Sequence, residues 1–262
     1  MSTQGTSSIN FSDQQGSSEI ELVREVPIAI SINDLNYAVI MVTDIDIEAF
    51  VVGFAFSEGL INTASEVLEI QLDQKSATEH LPEHLIANLA LTNRAQQRSR
   101  DIMRRRKGNS GCGLCGIEAI EQAFPPLNKL IEHPSLSDQY WIAAKEAFVS
   151  HQEIGSVSGA IHGAMLLDKS GDFCYFAEDI GRHNALDKLI GKAMMEGHTL
   201  EGNHILMSSR CSTELILKAV RAKVSSLGHL ASPSTLAVHQ AKHYGLQLIH
   251  IPRKASPRRF TF

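Results

Sequence analysis

Residues 204–251 read HILMSSRCSTELILKAVRAKVSSLGHLASPSTLAVHQAKHYGLQLIHI. Short strand candidates at His204-Met207, Lys223-Ser226 and Leu246-Ile251 alternate with stripes at helical spacing. The stripes are Leu215/Ile216/Ala219/Val220 and Leu236/Ala237/Ala241/Tyr244. Ser234-Thr235 after Pro233 supplies a helix start, and Gly245 a stop. Short strands separated by amphipathic helices predict a layered α/β domain whose sheet is at least partly parallel. The same texture extends upstream through a strand at Phe173-Phe176 and helical stripes at Trp141/Ala144/Phe148 and Leu186/Leu189/Ile190/Ala193. Residues 135–262 are accordingly read as one α/β domain.

The preceding half has a different rhythm. A strand through Pro27-Ile32, a turn at Asn33-Asp34 and a strand at Tyr37-Val42 lead into a helix from Asp44 to Ile61. That helix is apolar nearly all round (Phe50, Val51, Phe54, Ala55), which predicts burial. Further strands are expected at Val67-Leu72 and Leu85-Leu91. Residues 19–110 are therefore a smaller, β-rich α+β region. Residues 1–18, polar and rich in Ser, Thr, Gln and Gly, are expected to be a disordered tail. Pro125-Pro126 and Pro134 mark a break, so 111–134 is read as a cysteine loop and linker.

The chain has 262 residues, is 43% hydrophobic and carries a net charge of -5. It can bury a full core, and the charge disfavours a general nucleic-acid binder. The absence of a long uncharged apolar run and of a signal-like start predicts a cytoplasmic protein with no membrane and no DNA partner.

The most specific chemistry lies in Gly111-Cys112-Gly113-Leu114-Cys115-Gly116. It follows Arg104-Arg105-Arg106-Lys107, and seven Lys or Arg residues stand between Arg94 and Lys107 against one acid, Asp101. Three readings fit two thiols at this spacing. Zinc needs four ligands, but Cys174 and Cys211 are single, so no tightly bound metal is expected. Two buried small residues fit poorly with the flanking glycines. A reactive thiol fits best: a helix predicted over Gly116 to Ala123 would place Cys115 near a positive helix end. Lowering a thiol pKa from about 8.5 to about 6.5 raises the thiolate fraction at pH 7 roughly 25-fold. The accompanying loss of nucleophilicity is about 6- to 10-fold, leaving a net gain of roughly threefold. The surrounding charge therefore matters as much for docking an anion as for activating sulfur; equally, the basic run could be a solvated helix face.

His151-Gln152-Glu153 gives the H-x-E of zinc deaminases. Here C-x-x-C precedes it instead of following, and Gly111 replaces the expected proline, so hydrolytic deamination is disfavoured. Arg182-His183 are placed to open a helix after a strand and could meet a phosphate or serve structure. Ser208-Ser209-Arg210 follows a strand end, where open α/β sheets bind ligands. His162 is read as a core histidine or a pocket donor, Cys174 as packed, and Cys211 as a possible accessory thiol.

Taken together, CGLCG at 112–116, EDIGRHNALDKLIG at 178–191, LMSSR at 206–210 and STLAV at 234–238 resemble one family. So do EVPIAI near the start and FVVGFAFSEGLI at 50–61. The resemblance is to the FdhD/NarQ accessory sulfurtransferases of formate dehydrogenase. It implies a three-layer, cytidine-deaminase-like C-terminal domain with a smaller α+β part. It implies a persulfide carrier loaded by a cysteine desulfurase, with Cys112 as the carrier and Cys115 as an assisting thiol. The sulfur would pass to a client, the molybdenum cofactor bis-molybdopterin guanine dinucleotide, on its way to formate dehydrogenase. The family's cofactor-binding stretch falls on Ile251, Pro252, Arg253, Lys254, Ala255 and Ser256, a loop that lacks the usual glycines here. A homodimer is also implied. Arg253, Lys254, Arg258 and Arg259 form a second basic cluster suited to the cofactor's phosphates and guanine nucleotide, or a solubilising tail. The alternative function is a chaperone that binds the cofactor for formate dehydrogenase without transferring sulfur.

Overall fold

The structure, a computed structural model, describes residues 4–13, 16–107 and 124–260. A four-stranded sheet is built from β3 (Val26–Ile32), β4 (Leu35–Val42), β5 (Val67–Lys75) and β6 (His84–Leu91), in the order β4-β3-β6-β5. β3 runs parallel to β6, and the outer pairs are antiparallel. Strict alternation along β3 buries Val26, Ile28, Ile30 and Ile32 on one face. The predicted turn forms at Asn33 and Asp34, both with positive φ (47° and 63°), the backbone a two-residue hairpin needs.

α1 (Ile47–Ser57) lies on the buried face of this sheet. It is shorter than the predicted 44–61, because left-handed Asp46 (φ 51°) turns the chain before it and left-handed Gly59 (φ 78°) closes it. Its all-round apolar character has a direct cause. One side meets the sheet, and the opposite side packs along α5 (Arg182–Met195) of the second unit. A Cβ on Gly53 would sit 1.8 Å from the Asp187 carbonyl oxygen, and one on Gly191 would sit 1.8 Å from that of Ala49. The two backbones touch where both helices have no side chain. α2 (Asn93–Lys107) packs beside β6.

The second unit holds a six-stranded sheet of β7 (His162–Leu167), β8 (Phe173–Asp179), β9 (His204–Met207), β10 (Ser226–His229), β11 (Gln247–His250) and β12 (Arg258–Phe260). Its order is β12-β11-β10-β9-β7-β8, with β9, β10 and β11 parallel. On one face Leu166, Ile205, Leu227 and Leu248 pack under α5, α6 (Thr213–Arg221) and α7 (Thr235–Tyr244). On the other, Met165, Leu206 and Ile249 meet Trp141 and Phe148 of α3 (Asp138–Ser150). A short α4 (Glu153–Ser158) follows. The unit is thus a helix–sheet–helix sandwich, in line with the α/β expectation. β10 lies three residues later than the predicted Lys223-Ser226, because Lys223 (φ 57°) turns the chain out of α6 before the strand can begin.

The expected disorder over 1–18 is corrected at 6–13 and 16–18. β1 (Thr6–Asp13) and β2 (Gly16–Val23) pair as an antiparallel hairpin with Ile9 opposite Ile20. Composition misses it because the hairpin is held at its base. Gly5 (φ 84°) fits against Ile154, Ile45 and Thr43, and its carbonyl accepts the Arg24 N–H at 2.8 Å. Among the described residues, no helix is long and apolar enough to cross a membrane.

Candidate functional site

β8, β9, β10 and β11 all point the same way, so their carboxyl ends share one end of the sheet, where β7 begins. The stretches singled out at 178–183, 206–210, 234–238 and 251–256 all fall there. This is where open α/β sheets place ligands.

Much of the 178–191 block is framework. The Glu178 carboxylate accepts the Ile154 and Gly155 N–H groups at 2.9 Å each, holding the start of α4; burial pushes its pKa up. Asp179 accepts the N–H of Thr43 (3.0 Å) and of Gly181 (2.7 Å), the Asn184 amide (2.9 Å) and the Lys188 ammonium (2.7 Å). Lys188 also donates to the carbonyls of Thr43 (2.8 Å) and Glu178 (3.2 Å). Asp187 accepts from Ser57 (2.6 Å) and pairs with Lys218. These groups tie β4 and α1 to α5.

Arg182 and His183 are the members left facing the strand ends. Half-buried Arg182 makes no ion pair among the described residues, and it helps hold the His162 imidazole neutral, second to burial. His183 Nε2 lies 2.7 Å from Glu214 Oε2, while burial pushes its pKa down to about 4. Arg210 is exposed and also unpaired among the described residues. α5 and α6 start at Gly181 and Ser212 with no side chain capping their first N–H groups, whereas Ser234 caps α7 through Ala237 N–H (3.1 Å). Uncapped helix starts beside unpaired guanidinium groups make a cradle for an anion such as phosphate.

Two histidines escaped the sequence reading. His229 ends β10 in register with His250 of β11. The His229 Nδ1 faces the Ser209 carbonyl at 3.0 Å, burial holds the ring neutral with a pKa of about 4, and the buried Nε2 has no partner among the described residues. A histidine closing a buried strand next to a serine-rich loop was the available signal.

Ile251 is buried and donates its N–H to the His229 carbonyl (2.8 Å). The carbonyls of Pro252 and Arg253 accept from Lys145 Nζ at 2.8 and 3.1 Å, leaving the side chains of Arg253, Lys254, Ala255 and Ser256 exposed beyond β11. Arg259 behaves differently from a solubilising tail: it lies in β12, pairs with Asp138 and donates to the Leu136 carbonyl (2.7 Å). Arg98 of the basic run is likewise structural, donating to the Leu60 carbonyl at 3.0 and 3.2 Å. Arg94, Arg100 and Arg104 are exposed.

Cys112 and Cys115 lie outside the described residues, as does the helix expected over 116–123. Burial raises the pKa of Cys174 and pushes Cys211 up to about 12, which removes Cys211 as an accessory thiolate. No group of three metal-ligating side chains occurs among the described residues. His151 of the H-x-E stacks on Phe173 with ring centroids 4.0 Å apart.

The family model of FdhD/NarQ matches residues 23–261, which takes in both sheets and the cysteine pair. The chain belongs to the FdhD/NarQ family. Two relatives, each named sulfur carrier protein FdhD, come from Burkholderia mallei and Cupriavidus necator. The first is 35% identical over 238 residues, covering 88% of this chain and 85% of the relative. The second is 34% identical over 229 residues, covering 87% and 77%. A crystal structure from Desulfotalea psychrophila, assigned there as a formate dehydrogenase accessory protein, shares the fold. Its TM-score is 0.71 at 20% identity, over 98% of this chain and 96% of that one. In FdhD/NarQ terms, the described residues supply the cradle and the framework behind the most recognisable block.

Proposed function

We propose that this FdhD/NarQ member is a sulfur carrier for the maturation of formate dehydrogenase. A cysteine desulfurase loads Cys112, and the sulfur goes to the molybdenum cofactor, bis-molybdopterin guanine dinucleotide, held at the strand ends. The observation that carries the reading is the convergence on one end of the sheet of Arg182 and Arg210, neither ion-paired among the described residues, and two helix starts without a side-chain cap. That arrangement suits the phosphates of a dinucleotide cofactor, which is a substrate here and not a resident group. Exposed Arg253 and Lys254 extend the positive surface beyond β11. Layers on both faces of the second sheet support a cytidine-deaminase-like description of that unit.

In the loading step the Cys112 thiolate attacks the outer sulfur of the donor's persulfide. A new S–S bond forms on Cys112, the donor's S–S bond breaks, and the donor cysteine leaves as a thiolate. Cys115 stands three positions from the loaded sulfur's attachment point and assists.

The test uses full-length protein with a cysteine desulfurase and radiolabelled cysteine. A one-sulfur mass gain on the peptide containing Cys112 is expected, and its loss in Cys112→Ala. If Cys112→Ala labels as well as the parent, Cys112 is not the carrier. If Cys112→Ala still activates formate dehydrogenase while Arg182→Glu/Arg210→Glu does not, the protein is a cofactor-holding chaperone. Retained sulfur loading with weakened binding of guanosine diphosphate in Arg182→Glu/Arg210→Glu separates the cradle from the carrier.

A further inference from the structure

The far end of α5 carries a surface of opposite character. About 10 residues along the helix from Arg182, or about 15 Å at 1.5 Å per residue, Lys192, Met195 and Glu196 form one wall of a groove of about 770 Å³. Asp46 and Glu48 at the start of α1, Leu72 of β5, and Phe173 to Phe176 of β8 complete it. β5 and β8 are both edge strands of their sheets.

The apolar lining is open to solvent: Leu72, Phe173 and Met195 are 41%, 46% and 45% exposed. Three large apolar side chains in one groove exceed the scatter expected of a surface without a partner. The backbone of β8 is available in part. Phe176 presents its carbonyl to Lys192 Nζ at 3.0 Å, so this residue turns its polar backbone groups away from β7. In an antiparallel strand the N–H and C=O of one residue point the same way, so the Phe176 N–H also faces the groove. Toward the carboxyl end, Lys188 closes the edge by taking the Glu178 carbonyl.

The charges choose among occupants. Three carboxylates, Asp46, Glu48 and Glu196, face one ammonium, Lys192. Lys192 is already engaged by Asp46 (2.8 Å), Glu196 accepts the Tyr175 hydroxyl (2.8 Å), and Glu48 is exposed without an ion pair among the described residues. The negative C-terminal end of α5 opens here too, whereas the positive start of α1 is already faced by Asp46 and Glu48. An anionic ligand is repelled.

We propose that this groove docks an extended segment of a partner protein in which an aliphatic or aromatic side chain is flanked by lysine or arginine. The apolar residue sits among Phe173, Leu72 and Met195, its basic neighbours meet Glu48 and Glu196, and its backbone pairs with the open part of β8. The site is independent of the anion cradle and of sulfur loading.

The probe is a fluorescein-labelled seven-residue peptide alternating Lys or Arg with Leu or Val, added to the full-length protein. Binding is expected to be saturable and to weaken as salt rises. Glu48→Lys/Glu196→Lys should weaken it by roughly tenfold or more. The chain's one tryptophan, Trp141, is buried, so Phe173→Trp adds an exposed reporter whose emission should shift to the blue on binding. Both glutamates are exposed, and an unchanged thermal transition confirms that the double variant folds. Absence of binding, equal binding by the double variant, or equal binding of a peptide with Gly replacing Leu and Val overturns the proposal. So does sedimentation showing self-association that Glu48→Lys/Glu196→Lys abolishes, since a second copy would then fill the groove.

Discussion

Lys188 shows how much of a family signature can be framework. It is fully buried, as is Asp179, and its three donors meet three acceptors: Asp179 and the carbonyls of Thr43 and Glu178. Burial drives its pKa down while Asp179 opposes that. A buried pair adds little to stability over an apolar substitute, but breaking it leaves an uncompensated charge. Lys188→Met is expected to cost about 3–5 kcal/mol by urea denaturation, and adding Asp179→Asn should restore a large part. A neutral Lys188→Met would show that Asp179 carries no charge in the fold. Residue identity alone could not separate this role from that of Arg182 six positions earlier. EDIGRHNALDKLIG is legible as a signature, but whether a member reaches a ligand or a neighbouring helix depends on what packs on α5. For His229 the sequence offered only the position at a strand end; the burial of its Nε2 is created by the register of β10 against β9 and β11.

At the scale of elements, the crossing of α1 and α5 is the most demanding contact. A methyl on Gly191 would overlap the Ala49 carbonyl, so the helices would have to separate along their length. Gly191→Ala is expected to lower stability by about 3 kcal/mol or more, seen as an earlier thermal transition; an unchanged transition would mean that the helices sit farther apart. β9 matched its predicted bounds because the apolar run Ile205-Met207 behind His204, set between turn signals, leaves little choice. β10 slipped because its start is fixed by the positive φ of Lys223, which a lysine does not announce. The N-terminal hairpin was missed because Ile9, Phe11, Ile20 and Leu22 remain largely exposed, so the burial that alternation normally signals is absent. α1 was legible as buried, though not that its second neighbour is a helix of the other unit.

For the whole molecule, buried histidines set the acid limit. Burial holds His204 and His229 at a pKa of about 4, against about 6.5 in an unfolded chain. The folded state keeps them neutral, so their contribution is full above pH 6.5 and is lost as pH falls toward 4. Each ring contributes on the order of 3 kcal/mol over that window. Unfolding free energy should be flat from pH 7 to 8 and fall steadily from 6.5 to 4; a rise on acidification would rule out neutral burial.

The join between α1 and α5 also bears on how the chain is threaded. Residues 4–107 supply one helix of that join and residues 124–260 the other, reinforced by Thr43 on Asp179 and Ser57 on Asp187. Cutting the backbone between residues 107 and 124 is therefore expected to leave the two halves clasped, since the helix crossing and these hydrogen bonds lie wholly outside that stretch.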